Sequence, residues 1–197
     1  MIDLRPVTLE GNVVQLMPLS EVHVPGLAQV GLEPEIWRHM LYGNVDTEAK
    51  LLAFVQDLLR RQAKGTDLPF TVIHKETGKP IGCTRYLNID ARNRGAEVGG
   101  TWYGPAYQRS AVNTECKYLL LRHAFEAWGC IRVQLKTDLN NVRSQVAIER
   151  IGAVKEGVLR NHMIRPDGTV RHSVIYSVID SEWPEVKQHL EALMGRR

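Results

Sequence analysis

Two polar stretches, each placed between a strand-like and a helix-like segment, carry the residues best suited to chemistry. The first runs from Glu97 to Glu115 and the second from Thr137 to Ser144. At a strand-to-helix junction the free N–H groups of the first helical turn point out of the helix end, and with the helix dipole they attract phosphate. If the two strands are parallel neighbours, both helix ends open on one crevice, where ligands bind in open sheets. The plain alternative is an ordinary connection, with Asn141 as a helix cap.

The pattern around these junctions predicts a mixed α/β fold. Apolar, partly β-branched runs predict strands at 12–18, 69–74, 80–88, 97–103, 131–137, 154–164 and 169–179. Apolar residues at helical spacing predict helices at 20–30, after Pro34, from Thr47 to Gly65, and at 113–128, 141–151 and 181–194. Because helices alternate with strands and a hairpin follows at 166–168, we expect a mixed sheet, part parallel and part antiparallel, with helices on both faces.

Composition narrows the class of protein. The 197 residues, 44% hydrophobic and 24% charged, predict one globular domain over 1–197, with a core at about 8–180 and a terminal helix at 181–194. No apolar run approaches the roughly 20 residues of a membrane span, and the start has no signal segment. Three cysteines without C-x-x-C spacing argue against disulfides or zinc and favour a cytoplasmic location. A net charge of +3 from scattered residues predicts no nucleic-acid partner.

Several segments resemble one family. The loop at 108–113, Q-R-S-A-V-N, is similar to the Q/R-x-x-G-x-G/A loop of the GNAT superfamily of N-acetyltransferases, although Ala111 and Asn113 replace both glycines. The N-x-x-S-x-x-x-x-E-x-x-G segment that starts at Asn141 also matches, as do 9–12, 156–160 and 166–168. The chain most resembles the ribosomal-protein (RimJ/RimL-like) branch, over nearly its whole length to Trp183. The resemblance implies a single-domain, partly splayed GNAT sheet.

The resemblance implies acetyl-coenzyme A as co-substrate and no metal. Main-chain N–H groups at 109–114 would hold the pyrophosphate, and Arg109 would add charge. The backbone of Tyr103 would meet the pantetheine and the acetyl carbonyl, where a donor stabilises the oxyanion. Asn141 would bond the pantetheine, with Arg143 near the nucleotide. The full predicted cofactor set is Trp102, Tyr103, Gln108, Arg109, Ser110, Ala111, Val112, Asn113, Thr114, Asn141 and Arg143.

The implied reaction is direct attack of a primary amine on the thioester, through a tetrahedral intermediate. Many family members carry a Tyr seven residues after the Asn, but here that position is Ile148. Ser144 is therefore the candidate to hydrogen-bond the departing thiolate. Glu97 is the candidate base, directly or through water, and its alternative is a solvated carboxylate at a strand start. His162 and His172 are candidates to line the acceptor side.

The acceptor stays open at this point. A protein N-terminus fits the branch, whereas a small amine, an amino acid or an antibiotic fits other members of the superfamily. The altered positions Ala111, Asn113 and Ile148 also leave room for a catalytically weak acyl-coenzyme A sensor. The partners predicted from the resemblance are a coenzyme A thioester and an amine acceptor. Members of the family often form homodimers, and the sequence leaves the oligomeric state open.

Overall fold

An eight-stranded sheet runs through the computed structural model, which describes residues 2–195. The strands are β1 Leu9–Glu10, β2 Val14–Pro18, β3 Leu68–His74, β4 Lys79–Asp90, β5 Gly95–Tyr103, β6 Arg132–Asp138, β7 Val154–Ile164 and β8 Val170–Ile179. Their spatial order is β1-β2-β3-β4-β5-β6-β8-β7. All neighbours are antiparallel except β5 and β6, which are parallel. The predicted mixed sheet is confirmed.

Helices cover both faces of this sheet, as predicted. They are α1 Val24–Gly31, α2 Pro34–Trp37, α3 Glu48–Ala63, α4 Ala111–Arg122, α5 Val142–Arg150 and α6 Trp183–Gly195. Helices α1 to α3 share one apolar cluster around Trp37, Phe54 and Trp102, and a second cluster packs α4, α5 and α6 against the opposite face. Within residues 2–195, no helix combines the length and the apolar character that crossing a membrane needs.

The parallel pair β5 and β6 separates part-way along its length. Only Gly95–Val98 of β5 pairs with Arg132–Leu135 of β6. Strand β5 then continues to Tyr103 and β6 to Asp138. Because the backbone of β5 beyond Val98 has no partner on its β6 side, a crevice opens in the middle of the sheet. The partly splayed sheet is confirmed.

The free part of β5 contains a bulge. Cys83 pairs with Trp102 and Arg85 pairs with Gly99, so β5 carries one extra residue between these pairs. Gly100 lies there at φ +57, in the left-handed region that glycine adopts at no steric cost. Such a bulge bends the strand and turns nearby backbone groups away from the regular ladder.

Two helices differ from their predicted bounds. The helix predicted at 113–128 begins earlier, at Ala111, because Ser110 caps it, and its α-helical part ends at Arg122 before a π-helical turn, His123–Ala127. The helix predicted from Ser20 begins instead at Val24, after a 3-10 turn, Glu21–His23, which Ser20 caps. Pro25 lies in the first turn of α1, where its missing N–H costs no hydrogen bond.

A buried carboxylate joins α4 to the start of the chain. The backbone N–H groups of Asn12, Val13 and Val14 donate to the Glu115 carboxylate over 2.7–2.8 Å. A Cβ atom at Gly11 would lie 2.5 Å from Glu115 Oε2, so this turn needs glycine. The turn between β1 and β2 is therefore built around a residue of α4.

Candidate active site

The crevice between β5 and β6 is walled by the two junctions that carry the polar stretches. On one side the loop 104–110 leads from β5 into α4, and on the other the turn 139–141 leads from β6 into α5. Gly99, Gly100 and Thr101 are half-buried although they lie in the interior of an eight-stranded sheet. Backbone groups of β5 are therefore open to a ligand in the crevice.

The N-terminus of α4 is capped by Ser110, which takes up one first-turn N–H group and leaves its neighbours at Ala111 and Asn113 without a cap partner. Ser110 Oγ accepts a hydrogen bond from Val112 N at 3.3 Å and donates to the carbonyl of Tyr107 at 2.6 Å. The left-handed residue of the loop is Arg109, at φ +57. Ala111 and Asn113, which replace the glycines of the family loop, lie in the helix at negative φ and need no glycine for backbone conformation. An anion at this helix end is favoured by the free N–H groups and the dipole.

Three of the predicted cofactor residues form a chain across the crevice. Gln108 Nε2 donates to the carbonyl of Tyr103 at 3.0 Å, and Arg143 Nη1 donates to Gln108 Oε1 at 3.0 Å. The loop before α4 is thereby tied both to the end of β5 and to α5. The structure brings these three residues together, as the sequence predicts.

Five of the predicted cofactor residues are buried: Trp102, Tyr103, Ala111, Val112 and Thr114. The Trp102 side chain is 4% exposed and packs on Trp37 in the cluster of α1 to α3. The side chains of Ala111 and Val112, in the first turn of α4, are also buried. Thr114 is also buried, and its hydroxyl accepts a hydrogen bond from Arg150 Nη2 at 2.6 Å. These residues can contact a ligand only through their main-chain groups.

The second junction presents side chains. Asn141 Oδ1 accepts a hydrogen bond from the backbone N–H of Ser144 at 3.1 Å and so caps α5, which leaves the Asn141 amide N–H₂ available as a donor. The Ser144 side chain is half-buried in the first turn of α5. Ile148, one turn further on, is 7% exposed and belongs to the core. Ser144 is thus the hydroxyl of α5 nearest the helix end that faces the crevice.

Glu97 lies on β5 at the point where the strands separate, and it is not a solvated carboxylate. It is 3% exposed, and its Oε2 accepts hydrogen bonds from Asn88 Nδ2 at 2.9 Å, Gln134 Nε2 at 3.0 Å and Lys136 Nζ at 3.2 Å. Glu97 and Lys136 form a buried ion pair. Because all three of these hydrogen bonds go to Oε2, Oε1 is the oxygen left to accept a hydrogen bond from an acceptor amine or from water.

Further charges lie beyond Glu97, toward the β7–β8 hairpin. Asp138 Oδ2 accepts from Arg165 Nη2 at 2.7 Å, and Arg171 Nε lies 4.0 Å from the same oxygen. Burial alone would raise the pKa of Asp138, but bonds from the Asn140 N–H and Arg165, with the Arg171 charge, outweigh it and lower that pKa. A largely buried ion-pair cluster therefore joins the end of β6 to the β7–β8 hairpin.

The two histidines predicted to line the acceptor side lie at an irregularity of β7. Asn161 takes a positive φ there, and its N–H donates to His172 Nδ1 at 2.9 Å. A cavity of about 860 Å³ is lined by Val158, Leu159, Arg160, Asn161, His162 and His172. Burial, with the Lys136 and Arg171 charges, lowers the pKa of His162. His162 and His172 share this cavity, and their role toward an acceptor stays a prediction.

Sequence reasoning missed two buried cations beside the bulge of β5. The Arg85 guanidinium packs against Gly100, and a Cβ atom there would lie 3.2 Å from Arg85 Cζ. Lys117 of α4 reaches the opposite side and donates from Nζ to Thr101 Oγ1 at 2.8 Å. The available signal was a charged residue inside an otherwise apolar pattern, at Arg85 in a strand and at Lys117 in a helix. No cluster of three or more potential metal ligands occurs within residues 2–195.

Comparison with known proteins decides the family. A protein-family model described as an acetyltransferase (GNAT) domain matches residues 14–154. The chain belongs to the GNAT acetyltransferase family. Members of this family transfer an acetyl group from acetyl-coenzyme A to an amine, and this GNAT protein carries both the sheet and the crevice that the resemblance predicts. The expected N-acetyltransferase is confirmed at the level of the family.

Three known proteins show how similar this GNAT protein is to others in sequence and in fold. It is 30% identical to "Putative ribosomal N-acetyltransferase YdaF" of Bacillus subtilis over 106 residues, which are 54% of this chain and 57% of that protein. A GCN5-related N-acetyltransferase from Brucella melitensis is 28% identical, with a TM-score of 0.90 over 98% of this chain and 87% of that one. RimJ of Mycobacterium smegmatis, solved with CoA-disulfide, is 20% identical and shares the fold, with a TM-score of 0.83 over 98% of both chains. The predicted resemblance to GNAT acetyltransferases is confirmed, and a protein named as a ribosomal N-acetyltransferase is among the relatives of this chain.

Proposed function

We propose that this GNAT protein acetylates a primary amine with acetyl-coenzyme A, and that the amine is a protein N-terminus. The observation that carries the proposal is the splay between β5 and β6. It places the N–H groups that begin α4 beside an unpaired strand edge that ends at the buried carboxylate Glu97. A long, linear thioester with an anionic end fits that arrangement.

The first-turn N–H groups of α4 would hold the pyrophosphate, and Arg109 would lie beside it. Gln108 bonds the Tyr103 carbonyl and Arg143, so its side chain would move when the pantetheine takes up the edge of β5. The free amide N–H₂ of Asn141 would donate to the pantetheine from the opposite wall. We assign the eleven predicted cofactor residues these roles, and the five buried ones act through main-chain groups: Trp102, Tyr103, Ala111, Val112 and Thr114.

For the chemical step, the neutral nitrogen of the acceptor attacks the thioester carbonyl carbon. Glu97 takes the proton that the nitrogen loses, either directly through Oε1 or through a water molecule. Backbone donors of the bulged β5 stabilise the oxyanion of the tetrahedral intermediate. The carbon–sulfur bond then breaks, and the hydroxyl of Ser144 donates a hydrogen bond to the departing thiolate. Ser144 and Glu97 are thus our proposed catalytic pair.

The acceptor follows from the branch and from the shape of the site. YdaF is named as a ribosomal N-acetyltransferase, and RimJ shares the fold. Asp138, Arg165 and Arg171 form a largely buried ion-pair cluster that braces the β7–β8 hairpin on the proposed acceptor side of the site. The three cysteines are buried and unpaired, which supports the predicted cytoplasmic location.

Binding comes first in the test. Acetyl-coenzyme A at about 100 times its Kd should stabilise the fold by about 2.7 kcal/mol and raise the Tm by about 5–10 °C for a chain of this size. No shift at millimolar ligand, together with no heat of binding in calorimetry, would contradict the proposed site.

Turnover then identifies the acceptor. We expect release of free thiol with peptides that carry a free N-terminus, and little release with the same peptides after N-terminal blocking. A panel of small amines, amino acids and aminoglycosides forms the comparison arm. Faster turnover of a small amine would show that the acceptor is a small molecule and not a protein N-terminus. Binding of acetyl-coenzyme A without turnover on any amine would favour an acyl-coenzyme A sensor.

A further inference from the structure

Lys117 is the buried charge that the proposed function does not use. It lies in the second turn of α4 and is 6% exposed. Its Nζ donates to Thr101 Oγ1 at 2.8 Å, and Thr101 Oγ1 lies 2.7 Å from Thr84 Oγ1. Among residues 2–195 no carboxylate forms an ion pair with it. A buried, unpaired ammonium costs free energy in any fold, so its presence here requires a reason.

The position of Lys117 provides that reason. Thr101 lies in the free part of β5, next to the bulge at Gly100 and beyond the last pair with β6. This is the stretch of backbone along which the thioester must lie, between the phosphate end at α4 and the carboxylate of Glu97. Arg85 packs against the bulge from the opposite face. Arg85 Nε lies 3.1 Å from Asp67 Oδ2, and its Nη1 has no hydrogen-bond partner in the part of the chain that the structure describes.

We propose that Lys117 is a positioning residue for acetyl transfer. Its ammonium donates a hydrogen bond to Thr101, and together with Arg85 on the other face of the strand it maintains a positive potential at the bulge of β5, where the oxyanion forms. A fixed charge in a low-dielectric site acts more strongly on a developing anion than it would in water. Lys117 itself does not touch the reacting atoms, because Thr101 and the strand stand between. This inference rests on the proposed function, and it adds the side chain that supplies the positive potential acting on the oxyanion.

The ionisation of Lys117 gives the inference a pH signature. Burial lowers the pKa of Lys117 to about 8, and the Cys116 thiol of the same helix acts weakly in the opposite direction. Burial also raises the pKa of Cys116 to about 12 and that of Tyr103 well above its ordinary value, so neither group titrates near pH 8. Arg85 faces the bulge from β4. Lys117 is thus the group near the bulge that loses its charge as the pH rises through about 8.

The test compares Lys117→Met with Lys50→Met, an exposed lysine of α3 that pairs with Asp46. We expect Lys117→Met to lower kcat about 10- to 100-fold while the KM for acetyl-coenzyme A changes less than about 3-fold, since the charge acts mainly on the transition state. Its Tm should be equal to or above that of the wild type, because a buried charge is removed. The kcat of the wild type should fall as the pH rises through about 8, and this fall should be absent in Lys117→Met. Lys50→Met should match the wild type.

A second pair of variants keeps the test decisive if Lys117→Met folds poorly. Thr101→Val removes the hydroxyl that joins Nζ to the strand, whereas Thr101→Ser keeps it. We expect a loss of kcat in the first and near wild-type kcat in the second. Normal kcat in a folded Lys117→Met protein, or a loss of Tm that accounts for the loss of kcat, would overturn the inference.

Infrared spectroscopy separates this inference from the proposed function. The carbonyl stretch of bound [1-¹³C]acetyl-coenzyme A should lie at lower frequency in the wild type than in Lys117→Met, because the positive potential polarises the bond. This readout needs binding but no acceptor. A wild type that does not bind acetyl-coenzyme A overturns the proposed function and the inference with it. Binding with identical carbonyl frequencies overturns only the role of Lys117.

Discussion

The two strand-to-helix junctions that wall the crevice are built in different ways. Helix α4 has nine of its twelve residues buried between the sheet and α6, whereas α5 buries only Ile148 among nine. Loop 104–110 is tied down by the Ser110 hydroxyl and by Gln108, while the turn before α5 depends on the cap at Asn141. The first junction is thus a buried helix end that presents backbone groups, and the second is an exposed helix whose side chains carry the roles proposed above.

This difference shows which substitutions each junction tolerates. At α4 the proposed work is done by N–H groups that every residue except proline carries, so Ala111 and Asn113 can stand where the family loop has glycine. At α5 the proposed work belongs to the side chains of Asn141, Arg143 and Ser144. The identity of the residue should therefore matter less at the first junction than at the second, unless a change alters charge in front of the N–H groups.

The strongest way to test this contrast is to place a negative charge at the first junction. We expect Ser110→Asp to abolish measurable binding of acetyl-coenzyme A, because a carboxylate would compete with the pyrophosphate for the same N–H groups. Aspartate is as good a helix cap as serine and suits the dipole, but it cannot donate to the Tyr107 carbonyl as the Ser110 hydroxyl does, so we expect a loss of about 1 kcal/mol in the free energy of unfolding. Calorimetry gives the affinity and denaturant unfolding gives the free energy of unfolding.

Ser110→Asn is the matched control, since asparagine is also a good cap and differs from aspartate by its charge. We expect it to keep most of the affinity. If both variants bind as the wild type does, the phosphates lie elsewhere.

A smaller effect is expected on turnover at the second junction. Ser144→Ala should lower kcat by about 10- to 1000-fold with little change in cofactor affinity, because the hydroxyl acts only as charge develops on the sulfur. The cap should survive, since Ser144 contributes its backbone N–H to that hydrogen bond. Steady-state kinetics with the best acceptor measures the change. Normal kcat in the folded variant would show that Ser144 serves only the start of the helix.

The smallest expected effect separates two roles of Asn141. Asn141→Ala should lower the free energy of unfolding by about 1 kcal/mol through loss of the cap and should also weaken acetyl-coenzyme A binding. Asn141→Asp keeps the accepting oxygen, so stability should be retained while affinity falls with the lost amide donor. Denaturant unfolding and calorimetry give the two values. Full affinity in Asn141→Asp would assign this residue to capping alone.

Most of the fold could be predicted from the sequence, because local residue patterns mark where many of its helices and strands begin and end. Turn residues, caps and apolar periodicity located the strands from 69 to 103, the hairpin at 166–168 and the start of α3 at Thr47. The end of α4 was missed, because the apolar stripe runs on through Ala124 and Trp128 while the backbone changes to a π-helical turn. Side-chain periodicity does not report that change in hydrogen bonding.

The candidate site could be predicted from the sequence only in part. The crevice follows from strand order and junctions, so Gln108, Arg143 and Tyr103 could be placed near one another. Lys117 and Arg85 stand out only as charged residues within apolar stretches of α4 and β4, and that signal does not say what they face. Their role depends on which residues face the bulge of β5, and that register is set by tertiary packing.

The Glu115 carboxylate has a consequence for the order in which the chain folds. Its partners Asn12, Val13 and Val14 are separated from it by more than 100 positions. Contacts so distant in sequence require the closure of a long loop, which costs entropy before it yields any contact. We therefore expect the turn between β1 and β2 to be completed only when α4 docks on the sheet, although its residues are synthesised first.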